Sequence, residues 1–263
     1  MKRESHWSHP PRQPDGRRSR RLQVILAALL PACAFIGAAL AEGAAGASTK
    51  YPNRLPLARY EYPDPATEVA LAKTAAGKGI ADHASVLTLG KDGYTTTVKG
   101  TNGFVCLVQR AWADEFDSPE FWNPDRRMPE CWNAAAASSM LPEYLKRTEW
   151  VIAGKSTTEM IAATKAAVAR HEVGQPAPGA MVYMLSKEQY ILPTQGHWYP
   201  HVMFIVPATD GSPWGANSPG SPIYSHTSTD EPVTTYFVLA PKWSDGTLGP
   251  YSASPPEKEH QHK

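Results

Sequence analysis

Three residues, Cys131, His201 and Asn217, have the side chains that a thiol hydrolase needs. In such enzymes a cysteine is the nucleophile, a histidine is the general base, and a third polar group fixes the tautomer of that base. Cys131 directly precedes an alanine-rich segment typical of a helix, and a helix N-terminus stabilises a thiolate. His201 opens an apolar run, 202–206, that predicts a buried strand. The chain therefore offers nucleophile, base and orienting residue in this order.

The same cysteine has a second interpretation, as one half of a disulfide. The chain has three cysteines, and Cys33 lies in an N-terminal segment typical of an export signal, which leaves Cys106 and Cys131. Thiols of exported proteins tend to pair, and this disulfide would close a loop of about 25 residues and contribute about 3 kcal/mol. His201 would then be a histidine at a strand edge, and Asn217 a turn residue. A disulfide sulfur is no nucleophile, so the two interpretations exclude one another.

Two further side-chain patterns are weaker candidates for binding sites. His197 and His201 are four residues apart, but Pro200 blocks the helix that would bring them together, and no carboxylate lies between them. We therefore predict no metal site and no cofactor. The aromatic residues of the loops either fill the core or form a surface on which a glycan or peptide could stack. The candidates for that surface are Trp122, Trp198, Tyr199 and Trp214.

The N-terminus has the three parts of an export signal. Basic residues up to Arg21 precede an apolar run from Leu22 to about Leu40, and Ala39 and Ala41 form a small-residue cleavage site. The alternative is an uncleaved membrane anchor, since about 20 apolar residues can span a bilayer. We expect cleavage after Ala41 and a periplasmic or secreted protein, with membrane contact only if the signal stays uncleaved.

The charge balance of the remaining chain argues against nucleic-acid binding. The whole chain has 26 basic and 25 acidic residues, but seven of the bases and only two of the acids lie in residues 1–41. The exported part keeps 19 bases against 23 acids, without a basic cluster. Counterion release from phosphates needs several clustered bases, so we expect no nucleic-acid partner.

Local patterns predict a single α+β domain with a mostly antiparallel sheet and helices packed to one side. We divide the chain into a signal peptide (1–41), a linker or extended arm (42–62), the domain (63–242) and a flexible tail (243–263). Capping and breaking signals predict helices over 65–76, 133–150 with a break at Pro142, and 156–173. Apolar runs and turn residues predict a meander of strands at 85–89, 94–99 and 104–109, and later strands at 180–185, 202–206 and 235–240.

Two resemblances follow from these motifs. The segments 93–94, 100–106, 197–204 and 214–216, together with Cys131, resemble a group of uncharacterised exported bacterial proteins over about residues 66–224. That resemblance implies export and one compact domain, and nothing about mechanism. Over about residues 129–220, the order of Cys131 and His201 and the Pro178-Gly179 pair before 181–183 resemble papain-like bacterial cell-wall thiol peptidases.

The peptidase resemblance implies amide hydrolysis through a thioester, with Cys131 as nucleophile, His201 as base and Asn217 as orienting residue. The chain departs from that pattern in three places. Ala180 stands where these enzymes usually have Asp, and Trp132 and Asn133 stand where Ser and Gly are expected. No glutamine stands in the usual place before the cysteine to donate to an oxyanion.

The leading hypothesis is therefore an exported cell-envelope protein with a disulfide-stapled domain that has a binding or structural role. The alternative is a papain-like thiol hydrolase that cleaves amide bonds in peptides or peptidoglycan. Cell-wall peptide or glycan is the candidate partner in either case. The two hypotheses differ in the state of one sulfur atom, that of Cys131.

Overall fold

The fold is built around one mixed sheet, and the computed structural model describes residues 51–191 and 198–250. Eight strands of the described chain form it in the order β2-β1-β3-β4-β5-β6-β8-β7. All neighbouring strands are antiparallel except β1 and β3, which are parallel. The strands are β1 (Ser85–Gly90), β2 (Gly93–Val98), β3 (Val105–Gln109), β4 (Met128–Trp132), β5 (Met181–Met184), β6 (His201–Pro207), β7 (Ile223–Thr227) and β8 (Val233–Leu239).

The predicted helices begin at their predicted signals, but α1 and α5 end three and four residues earlier than predicted, and α2 was not predicted. They are α1 (Pro65–Lys73), α2 (Lys78–Ala81), α3 (Ala134–Ser139), α4 (Leu141–Ile152) and α5 (Thr157–Ala169). Asp64 caps α1 by accepting a hydrogen bond from the Ala66 N–H at 3.0 Å. Ser156 and Glu159 form the predicted capping box of α5. The break between α3 and α4 falls at Met140, just before Pro142, whose missing N–H is tolerated in the first turn of a helix.

The α+β class and the mostly antiparallel sheet are confirmed, and α3, α4 and α5 lie to one side of the sheet. All described residues belong to one compact unit. No helix in the described parts of the chain combines the length and the apolar character needed to cross a membrane.

The predicted meander of the first three strands is wrong. β1 and β2 do form a hairpin, but β3 pairs with β1 in parallel rather than with β2. The predicted hairpin turn at 102–103 instead lies beside the start of β1, where the Asn102 N–H donates to the His83 carbonyl at 3.3 Å. The reason is burial: β1 and β3 have no exposed residue and take interior positions, whereas half of the residues of β2 are exposed and suit an edge.

Two strands, β4 and β7, were not predicted from the sequence. Cys131 does not directly precede a helix but lies within β4, and Asn133 caps α3 by accepting from the Ala136 N–H at 2.9 Å. β4 contains Pro129 and Glu130, residue types that are uncommon in buried strands. β7 is a short edge strand with a mostly polar sequence, so it has no apolar run to reveal it.

The disulfide is present and joins the centres of two neighbouring strands. Cys106 of β3 and Cys131 of β4 are directly paired across the ladder, with their Cα atoms 4.0 Å apart. Both residues are fully buried against α1, and the Cys131 sulfur lies 3.8 Å from the Ala72 carbonyl oxygen. Side chains alternate along a strand, so Leu107 and Trp132 point to the opposite face and join the larger core under α3 to α5.

A buried ion pair connects α1 to the region after β3. Glu68 and Arg110 are 1% and 0% exposed, and their carboxylate oxygen and guanidinium nitrogen are 2.9 Å apart. The Arg110 Nε donates to the Tyr60 carbonyl at 2.7 Å, and the Tyr60 hydroxyl donates to the Trp122 carbonyl at 2.9 Å. The end of the segment predicted as an arm is therefore packed into the domain.

Candidate functional site

The structure does not bring Cys131, His201 and Asn217 together. Cys131 is opposite Tyr183 in the ladder between β4 and β5, and His201 is opposite Met184 in the next ladder. Because Tyr183 and Met184 are consecutive, their side chains point to opposite faces of the sheet, and so do those of Cys131 and His201. Cys131 is moreover bonded to Cys106, so it has no thiol to act as a nucleophile.

Asn217 serves as a turn residue. Its backbone is left-handed, with φ +60°, a conformation that asparagine tolerates better than most residues. Its side-chain amide donates to the Ser225 carbonyl and accepts from the Ser225 N–H, both at 3.0 Å. This amide therefore attaches the preceding loop to β7. The ring nitrogen of His201 is oriented by a different group, the Tyr199 carbonyl at 2.7 Å.

Of the two weak metal candidates, the structure describes His201 alone. His197 lies outside the described residues, and His201 is on the inner face of the sheet. Within 51–191 and 198–250, no group of three histidine, cysteine, aspartate or glutamate side chains could hold a metal ion.

The four aromatic candidates for a binding surface have different environments. Trp122 is 7% exposed and packs edge to face on Phe121 at 4.7 Å, so its assignment to a surface is wrong and it belongs to the core. Trp214 is 59% exposed and stacks on Tyr236 at 4.8 Å, and Tyr199 is exposed as well. Trp198 packs against His201 at 4.5 Å between ring centroids and lines a cavity.

That cavity lies between the sheet and the helical side of the fold. Its volume is about 440 Å³. The apolar part of its wall comes mainly from strands β4 to β8, and α4 and the loop after β3 contribute further residues. The apolar lining includes Trp132, Met184, Met203, Ile205 and Phe237. A volume of this size is typical of a site for a small molecule.

Two polar residues lie in one row across the sheet wall of the cavity. Met184 is directly opposite His201, and Glu130 extends the same row because it precedes Cys131, the residue opposite Tyr183. Glu130 and His201 are therefore two strands apart, a distance of about 10 Å between their backbones. Glu130 is 4% and His201 is 1% exposed, so both polar side chains are enclosed.

His201 presents a hydrogen-bond acceptor to the cavity. Burial lowers its pKa to about 4, against a smaller opposite effect of its hydrogen bond to the Tyr199 carbonyl, so the ring is neutral near pH 7. A carbonyl oxygen can only accept, which means that Nδ1 carries the proton and Nε2 has a free lone pair. Among the residues that the structure describes, Nε2 has no hydrogen-bond partner.

Glu130 presents a carboxyl group without a positive partner. Oriented with its nitrogen toward Glu130, the Gln109 amide donates to the two carboxyl oxygens at 3.1 and 3.3 Å. Burial raises the pKa of Glu130 to about 8. Within 51–191 and 198–250 no Lys, Arg or His forms an ion pair with it. An enclosed carboxyl group of this kind keeps its proton until a positive group arrives.

The helical wall has a second group of charges, which is internally balanced. Arg147 of α4 pairs with Glu231 at 2.5 Å, and its guanidinium lies 4.3 Å from the centre of the Phe116 ring. Glu143 accepts from the Gly174 N–H at 3.2 Å. Burial first, and then the hydrogen bond and charge of Glu231, raise the pKa of Glu143 well above its usual range. The guanidinium thus pairs with Glu231, and Glu143 keeps its proton near pH 7.

Glu130 was not identified from the sequence, because strand β4 was not predicted. Without a predicted strand, nothing indicated that the residue beside Cys131 points to the opposite face of a sheet. The order of β4, β5 and β6 in space then decides that Glu130 and His201 share a wall.

Comparison with known proteins finds no family model, no curated protein and no solved structure that matches this chain.

Proposed function

We propose that this protein is exported to the cell envelope and binds a small amphipathic molecule in the cavity between its sheet and its helices. The observation that supports this most strongly is the enclosed lone pair of His201 Nε2 in the apolar cavity wall. Leaving a buried acceptor unpaired costs about 1–3 kcal/mol, and a ligand N–H or O–H removes that cost. The apolar remainder of the wall suits the body of such a ligand.

Export is supported by the signal pattern of residues 1–41 and is compatible with the disulfide between Cys106 and Cys131. The disulfide joins β3 and β4, the strands that carry Gln109 and Glu130. It therefore fixes the backbone of one cavity wall from the opposite face of the sheet. In this proposal the cysteines serve the rigidity of the site and take no part in chemistry.

Binding is tested with N-phenyl-1-naphthylamine, an uncharged probe whose fluorescence rises in apolar sites. We expect saturable binding to the oxidised protein. Ile205→Trp enlarges a side chain on the cavity wall and should weaken binding about tenfold or more, because the probe and the indole compete for the same space.

Phe204→Trp is the matched control, since Phe204 is the neighbouring residue of β6, is 37% exposed and points away from the cavity. It should bind the probe like the wild type. Circular dichroism establishes that both variants are folded. Absence of saturable binding to the wild type, or equal weakening by both substitutions, would contradict the proposal.

A further inference from the structure

The charges on the cavity wall are unequal in number. Among the described residues, five acidic side chains line the cavity against two arginines. Each arginine is already engaged with a carboxylate on the wall, Arg126 with Asp114 and Arg147 with Glu231. Glu115 pairs with His226 at 2.8 Å. Burial keeps Glu143 protonated, so Glu130 is the described acid of this wall whose ionised form would have no positive partner.

Each group around Glu130 is neutral in this structure. Gln109 of β3 donates to its carboxyl group, and Met184 of β5 is its apolar neighbour across the ladder. Tyr144 of α4 is close enough for the charge of Glu130 to raise the tyrosine pKa. The Tyr144 hydroxyl is itself occupied, since it accepts from the Arg110 N–H at 2.8 Å.

Among the described residues, the unpartnered polar atoms of this wall are the acceptors His201 Nε2 and Glu143 Oε1 and the donors Trp132 Nε1 and Arg126 Nε. A carboxylate accepts through both oxygens, and His201 accepts through Nε2 because Nδ1 donates to Tyr199. An anionic ligand would find no free cation on the described part of this wall, because Arg126 and Arg147 are each paired with a carboxylate. A ligand with N–H donors would fit the Glu130 carboxylate and the His201 Nε2, and a protonated amine would also supply the missing charge.

The lining between the polar positions favours the same chemistry. Trp132 and Phe237 present aromatic rings to the cavity, and Met184 and Met203 are polarizable and adaptable in shape. Aromatic rings attract cations through their faces, and thioethers adapt to irregular ligands. A carboxylate with aromatic neighbours is a suitable environment for an ammonium group attached to an apolar body.

We propose that the ligand of this cavity is a cationic amphiphile, in which a protonated amine pairs with the Glu130 carboxylate and an apolar body lies against Trp132 and Met203. The His201 Nε2 accepts a further N–H or O–H of the same ligand. This inference rests on the proposed binding function and adds the charge class of the ligand to it.

Three probes with a similar aromatic body and different head groups test the charge class. We would titrate 2-phenylethylamine, 2-phenylethanol and 3-phenylpropionate into the oxidised wild-type protein at pH 7.5 by calorimetry. We expect the amine to bind at least about tenfold more tightly than the alcohol, and the carboxylate to bind most weakly, as charge-assisted hydrogen bonds in enclosed sites require.

Two substitutions locate the effect at Glu130. Glu130→Gln should weaken binding of the amine about tenfold or more and leave the affinity for the alcohol within about twofold, because only the charged pair is lost. Glu115→Gln is the matched control, since Glu115 is a carboxylate of the same wall that is already paired with His226. It should change neither affinity by more than about twofold.

The outcomes separate the two proposals. If N-phenyl-1-naphthylamine binds but the amine binds no better than the alcohol, the binding function stands and the charge class is overturned. The charge class is also overturned if Glu130→Gln leaves the affinity for the amine unchanged, or if the amine fails to bind to a wild type that binds the uncharged probe. If no probe binds, the failure lies with the binding function itself.

Discussion

Replacement of Glu130 by glutamine should make the protein more stable at neutral and alkaline pH. The carboxyl group of Glu130 is 4% exposed and has no positive partner among the described residues, and burial raises its pKa from 4.5 to about 8. Glutamine resembles the protonated acid in shape and in its ability to donate and accept. The substitution therefore removes the cost of ionising a buried acid while keeping most of the local contacts.

The sign follows from proton linkage. Between pH 4.5 and pH 8 the folded wild type keeps the proton of Glu130 and the unfolded chain has lost it, so the stability of the wild type falls as pH rises through this window. Each pH unit in the window corresponds to about 1.4 kcal/mol. The variant should thus exceed the wild type by about 3 kcal/mol at pH 7 and about 4 kcal/mol at pH 8, and match it below about pH 4.

Urea denaturation, followed by tryptophan fluorescence at half-unit steps from pH 4 to pH 8.5, measures this difference. Glu143 and His201 also have shifted pKa values, but both residues are present in the two proteins and their effects cancel in the comparison. Glu115→Gln is the control, because Glu115 is 24% exposed at its side chain and paired, and it should change stability by less than about 1 kcal/mol. Parallel curves for the wild type and Glu130→Gln would refute the reasoning, since they would mean that Glu130 ionises normally.

Three further predictions concern the rest of the domain. Replacing Cys106 and Cys131 together by alanine should lower the free energy of unfolding by about 3 kcal/mol in urea melts, and alkylation of the unreduced, denatured wild type should add no label; one or two labels would contradict the pairing. Glu68→Gln leaves Arg110 buried without its counter-ion and should cost about 3–5 kcal/mol in the same assay, and a loss below 1 kcal/mol would show that the pair is not buried in solution. The intact mass of the protein recovered from an exporting bacterial host should correspond to a chain that begins at Glu42, whereas the mass of the full chain would indicate an uncleaved anchor.

The local elements of this fold were predictable because their signals are local. The Asp64 cap, the Ser156 capping box and the break before Pro142 each depend on residues within one helical turn. The buried strands around Val182, Met203 and Val238 are apolar runs of strand length. The pairing of Cys106 with Cys131 followed from their number and from the expected compartment, and it needed no knowledge of the topology.

The candidate site was not predictable in the same way. Its polar residues come from strands that are far apart in sequence, and their shared face depends on the registers of β4, β5 and β6. A shift of one residue in either register would move Glu130 or His201 to the other face. The predicted order of the first three strands was wrong for a related reason. The strong turn signal at 102–103 does not determine which strand pairs with β3.

The central claim, that the cavity is the ligand site, is tested most directly by locating a bound probe. Crystals of the oxidised protein soaked with 2-(4-iodophenyl)ethylamine would show the iodine by anomalous scattering. We predict one strong peak inside the cavity, between Trp132 and Met203, with the amine directed toward Glu130. An empty cavity, or a peak only on the outer aromatic face around Trp214, would contradict the account.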